Sequence, residues 1–266
     1  MLAVPAPECA ASAEIAAGIT AVAGTLCPGA AIRVGYAGDG GTGLAAVLAG
    51  VAAERAAVAA GAGAAGDAQD DGVDCPYGAV VIPLAIGPDP GGEALIADTV
   101  GQAGPVVVRT PPLGPHPLLA GALHDRLAEA RLVPPRRLSG LTLVSTATGV
   151  LVAAAGGEPA LPAAQTVAVL LTARLGMPVA AVALGCRDSI GSGVAALREA
   201  GASRLVMAPY VIGPEIAAGE LAAAAAAAGA ACAPALGAHA ALGQLVTMRY
   251  GMALLGPGAP LAGQVA

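Results

Sequence analysis

The sequence predicts an α/β protein of two similar domains, each a mainly parallel sheet held between layers of helices. Three observations lead there: an internal duplication, alternating strand and helix signals in each copy, and apolarity built from small aliphatic residues. Residues 110–130, TPPLGPHPLLAGALHDRLAEA, and 233–253, APALGAHAALGQLVTMRYGMA, align at an offset of 123. Leu113, Gly114, His116 and Arg126 then meet Leu236, Gly237, His239 and Arg249, while Pro112 meets Ala235. Upstream, AVVIPLAIGPD (79–89) matches LVMAPYVIGPE (205–215) at an offset of 126, pairing Pro83, Ile86, Gly87, Pro88 and Asp89 with Pro209, Ile212, Gly213, Pro214 and Glu215. Two matched blocks in one order at nearly one offset mean two copies of one plan.

In order along the chain, an opening strand precedes Pro5, and residues 80–82 and 106–108 are short β-branched runs bounded by Gly and Pro, as buried parallel strands are. Residues 118–130 place Leu119, Leu123 and Leu127 on one stripe with Asp125, Arg126 and Glu129 opposite, which is helical spacing. His124 falls beside the polar face and reads as a surface residue. In the second copy 141–144 reads as a strand, 167–175 as helix, 179–184 as strand, 193–200 as helix and 205–207 as strand. Such alternation implies parallel sheets wound by right-handed crossovers. The boundary is expected at 133–140, VPPRRLSG, dividing the chain into domains 1–134 and 140–255. The Ala/Gly-rich acidic stretch 56–72 reads as a helix end followed by a mobile loop.

Composition narrows the function classes. The chain of 266 residues is 56% hydrophobic, with no Trp or Phe and four Tyr, so many small contacts must build the core. Only 11% of residues are charged, all twelve basic ones are Arg, and the net charge of −6 leaves no basic footprint for nucleic acid or an anionic membrane. Cys9, Cys27, Cys75, Cys186 and Cys232 form no C-x-x-C pair, and an odd number cannot all pair in one chain, so a reduced, cytoplasmic setting is expected. The start MLAVPAPECAASAE does not read as a signal peptide. Windows 138–157 and 221–248 lack charges, but Ser, Thr and Gly fill the first and Pro234 and His239 break the second; neither is read as a membrane span.

In parallel α/β sheets ligands bind beyond the carboxyl ends of strands, so the places to inspect are Pro5 to Cys9, Ile86 to Glu93, Ser145 to Thr148 and Ile212 to Glu215. Together with the block Leu113-Gly114-Pro115-His116-Pro117-Leu118-Leu119, the following Asp125-Arg126-Leu127, the echo Leu236-Gly237-Ala238-His239, and the segments 80–83 and Ala208-Pro209-Tyr210, the chain resembles the class II tetrapyrrole metal chelatases in their double-domain sirohydrochlorin form. The resemblance implies a chelatase-like α/β fold in both halves. It also implies a lyase of cobalamin or sirohaem biosynthesis that inserts divalent cobalt or iron, as metal substrate, into a small-molecule tetrapyrrole.

That family holds metal and accepts pyrrole protons through imidazoles at two strand ends, and here those positions are Pro5 and Gly91, which can do neither. Two function classes follow: a chelatase, and a non-catalytic homologue that acts as a tetrapyrrole- or metal-binding or regulatory protein. Asp89 and Glu93, flanking the Pro/Gly loop, could take protons or a hard cation as substitute catalytic groups, or be solvated loop carboxylates. Glu215 repeats Asp89, and with His116 and His239 it is a candidate metal ligand; the two histidines equally suit a polar role that satisfies backbone groups ahead of a helix. Cys9 and Glu8 lie where the first family motif would be, although a single thiol without a partner is ordinarily inert. The run Gly38-Asp39-Gly40-Gly41-Thr42-Gly43 has no following Lys and reads as a turn, not a phosphate cradle. Ser145 and Ser189 lack a G-x-S-x-G setting, so no hydrolase is indicated.

Overall fold

Two four-stranded parallel sheets carry the two copies. In the computed structural model, which describes residues 1–37, 42–62, 77–103, 107–134, 148–213 and 215–256, β1 (Leu2–Val4), β2 (Val34–Tyr36), β3 (Ala79–Pro83) and β4 (Val107–Arg109) run in the order β2-β1-β3-β4. The second sheet repeats this with β5 (Thr148–Ala154), β6 (Val179–Ala183), β7 (Arg204–Tyr210) and β8 (Ala230–Cys232) in the order β6-β5-β7-β8. Every pairing is parallel. Strand β5, TGVLVAA, is buried along its whole length, which is why it reads as a continuous apolar run without alternation.

The intervening helices are α1 (Ala10–Leu26), α2 (Leu44–Ala62), α3 (Pro90–Gln102), α4 (Pro117–Glu129), α5 (Leu161–Leu175), α6 (Arg187–Glu199), α7 (Ala218–Ala227) and α8 (Ala240–Leu255). Their starts and stops follow local chemistry. Helix α4 begins with Pro117 in its first turn, where the missing N–H costs nothing. Helix α5 stops at Gly176, whose φ of 64° is the left-handed conformation that glycine enters without strain.

The duplication reappears as equivalent backbone bonds. The Leu113 N–H donates to the Ala85 carbonyl at 2.8 Å, and at the corresponding positions the Leu236 N–H donates to the Val211 carbonyl at 3.0 Å.

By contacts the chain forms two compact units, and they interleave the copies. One comprises Met1–Leu84, Pro90–Pro112 and Gly243–Ala266, and the other Ala85–Asp89 and Leu113–Leu242. The last helix of each copy therefore belongs with the other copy's sheet: α4 packs on α5 and β7, while α8 meets α1, where a side chain at Gly243 would overlap Val22. The units thus do not coincide with the sequence segments 1–134 and 140–255, because the apolar stripe of α4, Leu119, Leu123 and Leu127, is buried in the unit built on the second sheet. One core cluster of the second unit includes Leu151, Met207 and Leu197, and one of the first includes Ala3, Leu44, Leu48, Val81 and Ile96.

Several expectations change. His124 is 5% exposed, not a surface residue, because α4 is covered on that side as well; its ring bonds the Pro134 carbonyl through Nε2 at 3.0 Å. The strand expected at 141–144 lies outside the described residues, as does the boundary from residue 135 on; the strand that opens the second sheet starts at Thr148. Residue 106, the turn residues Gly38 to Gly41 and most of the expected loop after α2, residues 63–76, also fall outside them.

Candidate functional site

In each sheet the chain leaves the central strand in one direction and later strands in the other, so the switch point lies between β1 and β3 in the first unit and between β5 and β7 in the second. The residues that follow those strands form the candidate site.

In the first unit β1 delivers Pro5, then Glu8 and Cys9. Cys9 caps α1: its Sγ accepts the Ser12 N–H at 3.4 Å, and its own N–H donates to Ser12 Oγ at 2.9 Å, closing a reciprocal box. Those Ser12 bonds favour the thiolate and lower the exposed Cys9 thiol from its ordinary value. Glu8 accepts from Thr42 Oγ1 at 2.6 Å. Burial, and then the negative charges of Glu8 and Cys9, raise the Tyr36 phenol. The corner is thus acidic and thiol-bearing. Gly91 is exposed in the first turn of α3, and Glu93, half-buried, lies in the same turn, where the helix dipole favours a negative charge.

In the second unit the loop 85–89 is fixed by the second copy's sheet. Tyr210, at the end of β7, donates its hydroxyl to the Ile86 carbonyl at 2.6 Å. Burial pushes that phenol far up. A side chain at Gly114 would overlap the Ile86 carbonyl and the Tyr210 hydroxyl, so only glycine fits there. Sequence reasoning quoted Tyr210 and Gly114 for their resemblance without giving either this task. Asp89, half-buried, ends this loop. Its repeat partner Glu215 turns back on its own loop: Oε1 accepts the Ile212 N–H at 3.0 Å and Oε2 the Gly213 N–H at 2.5 Å.

The two histidines behave as one feature repeated. His116 Nδ1 accepts the Leu118 N–H at 3.1 Å, and His239 Nδ1 accepts the Ala241 N–H at 3.2 Å, each capping the helix that follows. A neutral ring that accepts at Nδ1 carries its proton on Nε2, leaving that nitrogen without a lone pair for a metal. In His239 that Nε2 points to Asp125 Oδ2 at 3.6 Å. Burial, reinforced by the Arg126 charge, lowers the His239 pKa below its ordinary value against the opposing pull of Asp125 and Glu129, so the ring is neutral at pH 7.

Arg126 itself donates Nε at 3.1 Å and Nη2 at 2.5 Å to the Leu236 carbonyl. Its repeat partner Arg249 donates the same two nitrogens to the Pro112 carbonyl at 3.0 and 2.7 Å. Each arginine thus forks onto the loop that the other copy contributes. The Arg126/Arg249 identity at offset 123 was visible in the sequence; its role was not, because nothing local says which loop a helix will meet.

The expected site residues therefore divide between the units. Glu93 lies in the first, whereas Asp89, Glu215, His116 and His239 lie in the second. Within the second, Asp125, Arg126 and His239 are brought together, whereas the Glu215 carboxylate is engaged by its own turn. Among the described residues no group of three His, Cys, Asp or Glu is placed to hold a metal ion, and no helix is long and apolar enough to cross a membrane.

No family model matches the sequence, and no curated protein sequence matches it. Among solved structures the chain is similar to SirB from Bacillus subtilis, solved with Fe3+, at 12% identity and a TM-score of 0.64, over 95% of this chain and 94% of that one. The doubled parallel sheets and their helices are thus the class II chelatase fold.

Proposed function

We propose that the chain binds a sirohydrochlorin-like tetrapyrrole and does not insert metal by the two-imidazole route of the family it resembles. The observation that carries this reading is that the two positions the resemblance assigns to imidazoles are Pro5, after β1, and Gly91, in the first turn of α3, which offer neither a lone pair for a divalent cation nor a base for pyrrole protons. Support for the ligand class comes from the resemblance and from a fold shared with SirB over nearly the whole chain. His116 and His239 do not replace the lost imidazoles while they cap α4 and α8, since coordination through Nε2 would require an imidazolate or the loss of a cap.

A second reading rests on the carboxylates. Glu93 is half-buried two residues beyond Gly91, and Asp89 is half-buried two residues before it, so a divergent chelatase would use such carboxylates to accept the pyrrole protons that cobalt or iron displaces from the macrocycle. One assay separates the two: purified protein is mixed with sirohydrochlorin and Co2+ or Fe2+, and the macrocycle absorption is followed against the uncatalysed rate. Saturable binding without acceleration is expected. Acceleration lost in Glu93→Ala or Asp89→Ala would establish the carboxylate route instead, and absence of binding would refute both.

A further inference from the structure

We infer that the first unit carries a binding site for a single-chain amphiphile with an anionic head, a medium-chain carboxylate, in the cleft between α2 and α3. The cleft has a volume of about 560 Å³, within the range of small-molecule sites. It is lined by Leu48, Ala49 and Ala52 of α2, Ala79 of β3, Val107 of β4 and Ala103 just beyond α3. These side chains are apolar; Gln102 and Thr99, whose hydroxyl donates to the Leu95 carbonyl at 2.8 Å, add polar atoms at the α3 side. Among the described lining residues Arg55 carries the one charge. Arg55 lines the cleft and is exposed, and its sequence neighbour Glu54 is taken up by Arg33 at 2.8 Å. Among the described residues no carboxylate pairs with Arg55, in a chain whose net charge is −6.

The duplication supplies an internal control. At the equivalent place in the second copy, α6 and α7 close over β7 and β8 with Ile190, Leu197, Met207 and Ala225 in one buried cluster. The opening in the first copy follows from alanine at the facing positions of α2, not from the fold. A largely apolar trough with a lone cation in its wall selects a tail plus an anion.

Titration calorimetry on the whole chain, with octanoate, decanoate and dodecanoate below their micelle concentrations, tests this. Saturable 1:1 binding is expected, with affinity rising up to about fourfold per methylene. Decylammonium should bind at least tenfold more weakly than decanoate. Arg55→Glu, at an exposed position, should weaken decanoate at least tenfold with an unchanged circular dichroism melt, and Ala49→Phe, which fills the trough, should abolish binding. No saturable binding, equal affinity for the cationic amphiphile, uptake only from lipid vesicles, or undiminished binding in Arg55→Glu would each overturn the inference.

Discussion

Replacing Arg126 by alanine tests the forked contact that ties α4 into the second unit. The guanidinium gives two bonds to the Leu236 carbonyl, and Leu236 is fully buried. A hydrogen bond from a charged donor is worth about 1.5–3 kcal/mol, and a buried carbonyl left unpaired costs about 1–3 kcal/mol; these describe one loss from two sides and are not summed. The bond from Arg126 Nη1 to Glu129 at 2.7 Å adds at most about 0.5 kcal/mol, because the Glu129 side chain is 54% exposed and the pair is screened. The expected loss is thus about 2–3 kcal/mol. At about 2–4 °C per kcal/mol for domains of this size, the melt should fall by about 4–12 °C. Urea unfolding followed by circular dichroism reads the free energy and a thermal scan reads the shift. Arg126→Lys keeps the charge without the fork and should recover only part of the loss. A loss below about 0.5 kcal/mol in Arg126→Ala would show that the Leu236 carbonyl finds another partner and that the fork does not hold the helix.

Arg249→Ala should behave alike, since the same two nitrogens meet the Pro112 carbonyl. Gly243→Val should cost at least about 1–3 kcal/mol, since its first side-chain carbon would overlap Val22 of α1, and a denaturation midpoint equal to wild type would show that the two helices separate freely. Tyr210→Phe should cost about 1–2 kcal/mol through the unpaired Ile86 carbonyl. Ultraviolet titration should then lose a phenolate step that lies well above the ordinary tyrosine range. The folded state depresses the His239 pKa, so its contribution is complete above the ordinary value of 6.5 and declines as pH falls below that, where the unfolded chain takes up the proton first. His239→Asn keeps a capping side chain and removes the titration, so comparing wild type and variant stability at pH 7.5 and 5.5 should show the larger acid loss in wild type.

The doubled architecture was legible because the repeated blocks mark turns and caps, where geometry dictates residue type: His116 and His239 recur as helix caps, and glycine recurs at 114, where a side chain would overlap the Ile86 carbonyl, and at 237, where φ is 56°. The exchange of terminal helices was not legible. The stripe Leu119, Leu123, Leu127 says that α4 buries one face but is silent on whose sheet it covers. His124 was misplaced for a related reason, since a period-3.6 pattern assumes one covered face and α4 is buried beyond its leucine stripe. Strand β5 escaped because TGVLVAA follows a Ser/Thr-rich run with the same β-branched character, and three-residue strands such as β2 and β8 are too short for any periodicity to register. Of the site, that Pro5 and Gly91 carry no side chain able to ligate or titrate could be read directly. That the remaining imidazoles were committed to helix starts could not, because a cap and a ligand draw on the same side chain.

The crossing of α4 and α8 carries a consequence for fragments. A peptide ending near residue 134 would contain a helix whose greasy side has no home and a sheet missing its cover, and the complementary peptide would suffer the mirror deficiency. Neither half should exist as a stable monomer; co-expressed, they should reassemble by trading ends, and a single half expressed alone should pair with itself in the manner of a swapped dimer. Gene duplication in such a protein would turn an obligate pair into one polypeptide with no change in how its parts interlock.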